Sequence, residues 1–154
     1  MAKDHTKFIV RAGLIAAIYV VLTIMLGEKS FGPIQVRISE ALVLLPLIDT
    51  AAVPGVAIGC FLANLFGGYG IIDIVFGSLV TLIAAYLTSK MPNKILGIIP
   101  PVLLNTFIVS IWVSKINSWP YGLTALTIGL GEFFSVAGLG TGLLILVDKI
   151  KHYR

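Results

Sequence analysis

The sequence predicts an all-α integral membrane protein, a single bundle of six transmembrane helices with both termini in the cytoplasm. The 154 residues have a mean hydropathy of +1.03, with 58% hydrophobic and only 12% charged residues. A water-facing surface of this size does not tolerate that balance. Long apolar runs recur along the chain, and a bilayer selects helices because every backbone polar group must be satisfied internally. Lys and Arg are also divided unequally between the connections, as in multi-pass membrane proteins.

Apolar runs of about 17 to 25 residues are long enough to cross a bilayer. The predicted helices cover residues 8–26, 39–48, 51–66, 71–89, 95–114 and 121–147. Residues 39–66 are too many for one span, and Asp49 followed by Pro54 splits them into two short helices. Pro100 and Pro101 are expected near the start of the fifth helix, where a missing N–H costs least. The whole chain, residues 1–154, is expected to form one transmembrane domain.

The charge distribution predicts the orientation. With six helices, eight basic residues lie on the N-terminal side: Lys3, Lys7, Arg11, Lys90, Lys94, Lys149, Lys151 and Arg154. Three lie on the other side: Lys29, Arg37 and Lys115. Because cytoplasmic connections carry the excess of Lys and Arg, both termini are expected inside.

No histidine lies in the predicted apolar segments. Both histidines, His5 and His152, fall in the polar ends, so neither an intramembrane metal site nor a general-base histidine is expected. The tetrapeptide 27–30 resembles a phosphate loop, but Glu28 replaces the glycine that must precede the lysine. The single cysteine, Cys60, is interpreted as a small apolar filler. The basic residues form no stripe with interleaved aromatics, which argues against nucleic acid binding.

Two polar residues are predicted near the middle of the membrane. Glu132 lies about 11 residues into the last helix, and Asn105 is about as deep in the fifth. An ionisable group at this depth is a functional candidate, because its desolvation costs several kcal/mol unless a partner or a wet cavity compensates. The alternatives are an interhelical hydrogen bond or a protonated glutamate.

A second polar group is predicted at the outer ends of the helices. Its members are Gln35, Arg37, Ser39 and Glu40 before and in the second helix, Asn64 in the third, and Asp73 in the fourth. As alternatives, Ser39 is an N-cap, Asp73 a favourable first-turn acid, and Arg37 and Glu40 an ion pair. Together with Glu132 these residues predict a pocket with excess acid, which favours a solute with hydrogen-bond donors or positive charge.

Three segments of the chain resemble the QueT family, the substrate-binding S components of energy-coupling factor (ECF) transporters that import a queuosine precursor. They are residues 31–42 (FGPIQVRISEAL), residues 64–78, which contain NLFGG and DIVFGS, and residues 100–105 (PPVLLN). The resemblance implies a bacterial plasma membrane protein that binds its solute at the outer face. It also implies docking on the membrane subunit EcfT, with ATP bound by two partner ATPase subunits and no cofactor in this chain.

The resemblance implies roles for individual residues. Ala12 and Ala16 form the Ala-x-x-x-Ala pattern expected to contact EcfT, with Gly13 and Ala17 beside them. The implied ligand is 7-aminomethyl-7-deazaguanine, with Glu132 or Glu40 on the purine edge and another carboxylate on the amine. Gln35, Arg37 or Asn105 are the candidates near O6, and the candidates for stacking are Phe31, Tyr69, Trp119 and Tyr121. Trp119 and Tyr121 are alternatively interfacial anchors.

Other functions remain open at this point. The chain is alternatively an S component for another small vitamin, since sites and not folds determine function. It is alternatively a membrane assembly subunit that binds no solute and uses its polar residues to join helices. A third alternative is an autonomous proton-coupled carrier that uses Glu132.

Overall fold

The computed structural model describes residues 2–26, 37–68 and 70–152, and all regular elements within these ranges are helical. The first three helices are α1 (Ala2–Leu26), the 3-10 helix α2 (Ile38–Leu47) and α3 (Ala52–Gly67). Helix α4 consists of a π turn (Asp73–Gly77) and Ser78–Thr88. Helix α5 joins Lys94–Leu104, a π turn (Asn105–Val109) and Ser110–Ile116, and helix α6 joins Tyr121–Phe133, a π segment (Phe134–Gly140) and Thr141–His152. The predicted all-helical class is confirmed for the described residues.

Three of the described helices are long and apolar enough to cross a membrane. They are Lys3–Met25, Lys94–Ile116 and Tyr121–Lys149. The fourth predicted span, 71–89, is shorter than expected as a helix, Asp73–Thr88. Gly70, with a φ of 91°, precedes it, and the non-helical residues 91–93 follow it. The count of six spans and the orientation therefore stay predictions.

Helix α2 lies in the centre of the bundle. Residues 39–46 are all buried, because the helix has no polar face to turn toward solvent. It is a 3-10 helix and not the predicted α-helix. At about 2.0 Å rise per residue, ten residues extend about 20 Å, where an α-helix would extend about 15 Å. The ten residues of α2 therefore span a greater length of the bundle than they would as an α-helix.

Helices α1 and α3 pack closely through small residues. A Cβ at Gly55 would lie 2.9 Å from the carbonyl oxygen of Ala12, and one at Gly59 would lie 2.6 Å from the Cβ of Tyr19. The same Cβ at Gly59 would lie 3.0 Å from the carbonyl oxygen of Ala16. Both contacts require glycine, because backbones approach this closely only where no side chain intervenes.

This packing places the two alanines that were expected to bind EcfT inside the isolated chain. Ala12 and Ala16 are 7% and 4% exposed, so their side chains lie inside the chain against α3. Their neighbours Gly13 and Ala17 are exposed, and a Cβ at Gly13 would meet open space. Gly13 and Ala17 are therefore the small-residue pair that α1 presents at the surface.

The prolines of α5 lie inside the helix and not at its start. Pro101 has no N–H to donate to the carbonyl of Gly97, four residues earlier. The hydroxyl of Thr88, at the end of α4, donates to that carbonyl oxygen at 3.0 Å. The buried Thr88 thereby replaces the missing intrahelical bond and joins α4 to α5.

The polar break between α2 and α3 lies at one end of the bundle. Asp49 accepts a hydrogen bond from the backbone N–H of Ala51 at 2.9 Å and pairs with Arg11 of α1 at 3.1 Å. The start of α2 lies further along α1, where Tyr19 contacts Glu40. Helices α1 and α2 therefore run in opposite directions, and the predicted polar residues collect toward the end of the bundle away from Arg11.

Candidate functional site

Glu40 forms the centre of one half of the site. Its side chain is buried, with 2% of the residue exposed, near the start of α2. The hydroxyl of Tyr19 donates to Oε1 of Glu40, and Nε of Arg37 lies 3.8 Å from the same oxygen. Oε2 has no hydrogen-bond partner among the described residues. One oxygen of this carboxylate is thus engaged, while the other is an available acceptor.

Arg37 links Glu40 to α1 and α3. Its Nη2 donates to Oδ1 of Asn64 at 3.1 Å, and its guanidinium lies 5.9 Å from the ring centre of Tyr19. Asn64 in turn donates from Nδ2 to the backbone carbonyl of Asp73 at 2.7 Å. The predicted residues Arg37, Glu40, Asn64 and Asp73 are therefore brought together.

Cys60 lies beneath this network and is more than an apolar filler. Its sulfur accepts from Nη2 of Arg37 and Nδ2 of Asn64, each at 3.6 Å, and from Oγ1 of Thr81 at 3.4 Å. These weak bonds help satisfy buried donors. The cysteine thus contributes a polarizable acceptor in the floor of the cluster.

Asp73 extends the cluster to α5. Its Oδ1 accepts from the indole N–H of Trp112 at 2.8 Å, and the Trp112 ring lies 6.5 Å from that of Phe76. The first-turn acid therefore joins α4 to α5.

Glu132 and Asn105 form the second half of the site. Nδ2 of Asn105 donates to Oε1 of Glu132 at 2.7 Å, and the two residues are 8% and 5% exposed. This interhelical hydrogen bond was one of the alternatives for the pair. The π segment that follows Glu132 packs against α2, which carries Glu40, so the two halves lie on neighbouring helices.

The site combines an excess of acid with unsatisfied hydroxyl groups. The described polar residues include three acids, Glu40, Asp73 and Glu132, and one guanidinium, that of Arg37, which pairs with Glu40. Oγ of Ser110, Oγ of Ser135 and Oγ1 of Thr106 are buried and lack hydrogen-bond partners among the described residues. No group of three His, Cys, Asp or Glu suited to a metal ion occurs in the described ranges. The arrangement is suited to a donor-rich or cationic molecule.

The three π segments lie beside the site residues. The first begins at Asp73, the second at Asn105, and the third at Phe134, two residues after Glu132. A π turn widens the helix and shifts the register of its side chains, and such turns occur frequently at functional sites. Helices α4, α5 and α6, which contribute Asp73, Asn105 and Glu132, thus each contain a π segment.

Some predicted residues lie elsewhere. Gln35, Phe31 and Tyr69 fall outside the described residues. Tyr121 is 45% exposed, and its hydroxyl donates to the carbonyl of Phe107 at 3.0 Å. The backbone N–H of Trp119 donates to the carbonyl of Ser114 at 2.9 Å. The hydrogen bond of Trp119 closes the turn after α5, that of Tyr121 joins α6 to α5, and neither includes the acidic cluster.

Other members of the site were not anticipated from the sequence. Tyr19 and Thr23 lie four residues apart on α1, and Oγ1 of Thr23 donates to Oγ of Ser39 at 2.7 Å. Ser39 thus contacts α1, and α2 has no side-chain cap at its start. The spacing of Tyr19 and Thr23 was the signal available in the sequence, because polar residues at i and i+4 of an apolar helix share one face. Trp112 carried no comparable signal, because its position in α5 suits a lipid-facing residue equally well.

Comparisons with known proteins identify the family of this chain. The family model described as "QueT transporter" matches residues 9–149. The chain is 30% identical over 152 residues to a Lactococcus lactis subsp. cremoris (strain MG1363) protein named "Queuosine precursor transporter QueT", with 88% of this chain and 89% of that protein covered. No solved structure matches the chain. The family match over most of the chain shows that this protein belongs to the QueT transporter family.

Proposed function

We propose that this chain is the substrate-binding S component of an ECF importer, and that its buried polar cluster captures 7-aminomethyl-7-deazaguanine, a queuosine precursor. The name of the Lactococcus relative supports the substrate class. The observation that carries the proposal is the pair of buried carboxylates, Glu40 on α2 and Glu132 just before the π segment that packs against α2. A site of this kind needs donors from a ligand, because buried polar groups without partners are costly.

The chemistry of the ligand complements the cluster. Its purine-like edge offers the N1–H and 2-amino donors, and its aminomethyl arm is a cation near neutral pH. Oε2 of Glu40 and the carboxylate of Glu132 are suitable acceptors, since hydrogen bonds to a charged group are among the strongest in proteins. We assign Arg37, Asn64 and Asp73 to holding Glu40 in place, and Asn105 to holding Glu132. Gln35, Trp119 and Tyr121 are proposed to line the outer entrance.

Calorimetric titration of the purified protein with this ligand tests the site. Glu132→Gln and Glu40→Gln each replace an acceptor oxygen with a donor, which creates a buried mismatch with the ligand's N–H groups. A mismatch of about 1 to 3 kcal/mol raises the dissociation constant roughly 5- to 150-fold. Asp49→Asn makes the same chemical change at the opposite end of the bundle and is expected to leave the affinity unchanged.

If Glu40→Gln and Glu132→Gln both fold and bind with wild-type affinity, the acids serve only to join helices. The chain would then fit an assembly subunit that binds no solute in the cluster. Saturable binding of a different vitamin, with no response to the deazaguanine, would contradict the substrate alone.

We further propose that the chain acts with the membrane subunit EcfT and two ATPase subunits in a bacterial plasma membrane. On this view it is not an enzyme, and ATP is bound by its partners. The exposed small residues Gly13 and Ala17 are the proposed contact on α1, since a smooth face allows close helix approach. Ala12 and Ala16 would support that face from within.

Uptake assays separate the two small-residue pairs. Ala17→Leu is expected to abolish ATP-driven uptake by the assembled transporter while leaving solute binding by the isolated chain unchanged. Ala16→Leu is expected to impair folding, because its side chain would be forced into the contact with Gly59. Normal uptake by a folded Ala17→Leu variant would exclude this face as the contact.

A further inference from the structure

The two buried carboxylates of the site differ in their surroundings, and this difference deepens the function proposed above. We infer that Glu132 binds the ligand's ammonium group, whereas Glu40 accepts hydrogen bonds from the uncharged N–H groups of the ring. The inference rests on the proposed function, because it assigns two parts of the same ligand to two residues. It makes Glu132 the residue that determines selectivity for the amine.

Glu40 is poorly suited to a cation. Nε of Arg37 lies 3.8 Å from Oε1, so the charge of this carboxylate is already opposed by a guanidinium. An ammonium placed on Oε2 would meet that positive charge across the same carboxylate, and like charges repel strongly at such distances where water is excluded. A neutral N–H donor satisfies Oε2 without this repulsion. The remaining acceptor of Glu40 therefore fits the ring edge.

Glu132 has the opposite environment. Its Oε1 accepts from the neutral amide of Asn105 at 2.7 Å, and no Lys or Arg of the described residues forms a salt bridge with it. The salt bridge that the described residues show for Arg37 is with Glu40 and not with Glu132. A charge buried in an apolar bundle is stabilised best by an opposite charge that brings its own donors. An ammonium group supplies both.

Unpartnered oxygens beside the carboxylates also point to a ligand. Oε2 of Glu40 and Oγ of Ser135 lack partners among the described residues, and these residues are 2% and 1% exposed. Ser135 follows Glu132 by three residues, and its π segment packs against α2, which carries Glu40. Oγ of Ser110, also unpartnered and fully buried, follows Asn105 by one π turn. Oxygens of this kind accept the additional N–H groups that an ammonium and a guanine-like edge both offer.

A pair of ligands tests the division of roles. The amine is 7-aminomethyl-7-deazaguanine, and its neutral analogue is 7-methyl-7-deazaguanine, which keeps the ring edge and lacks the ammonium. Calorimetry of the wild-type chain should give an affinity for the amine at least about 30-fold above that for the analogue, as for other buried charge pairs. In Glu132→Gln this preference should fall to roughly 3-fold or less, with little change for the analogue.

Glu40→Gln is the matched variant. It is expected to weaken both ligands by a similar factor and to leave the preference for the amine near its wild-type value. Glu132→Asp keeps the charge but shortens the side chain, and it should weaken the amine more than the analogue. This variant keeps the test decisive if Glu132→Gln does not fold.

Two outcomes would overturn the inference without affecting the proposed function. In the first, Glu132 variants weaken both ligands equally. In the second, Glu40→Gln removes the preference for the amine. If neither ligand binds to the folded wild-type chain, the proposed function itself fails, so the two failures are distinguishable.

Discussion

The hydrogen bond between Thr88 and α5 provides a test of the fold that is independent of any ligand. The hydroxyl of Thr88 donates to the carbonyl of Gly97 at 3.0 Å, where Pro101 cannot donate. Thr88→Val keeps the size of the side chain and removes the donor. The buried Gly97 carbonyl then has neither its intrahelical partner nor its replacement.

The expected loss follows from this geometry. Side-chain hydrogen bonds between membrane helices contribute about 0.6 to 1.7 kcal/mol, and a carbonyl left unsatisfied costs about 1 to 3 kcal/mol. We therefore expect Thr88→Val to lower the free energy of unfolding by about 1 to 2 kcal/mol. In a Pro101→Ala background, the restored N–H of residue 101 reaches Gly97, and the same substitution should cost less than about 0.5 kcal/mol.

Reversible unfolding of the four proteins in mixed micelles, followed by circular dichroism, measures this coupling. Thr88 lies about 22 Å along α4 from Asp73, so the affinity for a ligand in the cluster should not change. If Thr88→Val lowers the free energy of unfolding equally with proline and with alanine at position 101, the proposed role of this hydrogen bond is refuted. Thr88 would then act through packing alone.

Two further predictions concern packing and topology. Gly59→Ala should destabilise the protein by about 1 to 3 kcal/mol in the same unfolding assay, because its Cβ would lie 2.6 Å from that of Tyr19. Gly13→Ala is the control and should not destabilise the protein, because its Cβ would meet open space. Equal effects of the two substitutions would contradict the α1–α3 contact. In a cysteine-free background, cysteine at position 118 should react with an impermeant reagent from outside and cysteine at position 89 only from inside. Labelling of both positions from one side would exclude the predicted orientation.

Helix positions were largely predictable from the sequence, because apolar run length and polar breaks are local properties. The break at Asp49 and the position of the last three helices agree with the structure to within a few residues, except at the C-terminal end of α6. The 3-10 form of α2 and the three π segments were not predicted. They depend on how side chains fit between neighbouring helices, and no residue type in these segments requires them.

The side-chain orientation of α1 shows a second limit. Two small-residue pairs overlap there, Ala12 with Ala16 and Gly13 with Ala17, and adjacent positions on a helix differ by about 100°. The sequence shows that α1 allows close approach on both faces. Which face meets α3 is decided by Gly55 and Gly59, whose own pairing is a tertiary contact.

The acidic residues of the site were predictable because a charge in an apolar segment requires compensation. Glu40, Asp73 and Glu132 were recognised in this way, and the structure buries Glu40 and Glu132 and pairs Glu132 with the predicted Asn105. That these residues bind a solute stays a prediction. Tyr19 was not predicted from the sequence to belong to the site. Tyrosine is common in membrane helices, and only the position of Glu40 across the helix interface shows that its hydroxyl has a specific partner.

The most direct test of the central claim is to identify the small molecule that copurifies with the protein. The chain and its Glu40→Gln/Glu132→Gln variant are expressed in cells supplied with the queuosine precursor, purified in mild detergent, and extracted for mass spectrometry. We predict that the wild-type chain carries 7-aminomethyl-7-deazaguanine in near-equal molar amount, and that the folded double variant carries little of it. Equal retention by both proteins, or consistent recovery of an unrelated compound from the wild-type chain, would contradict the account.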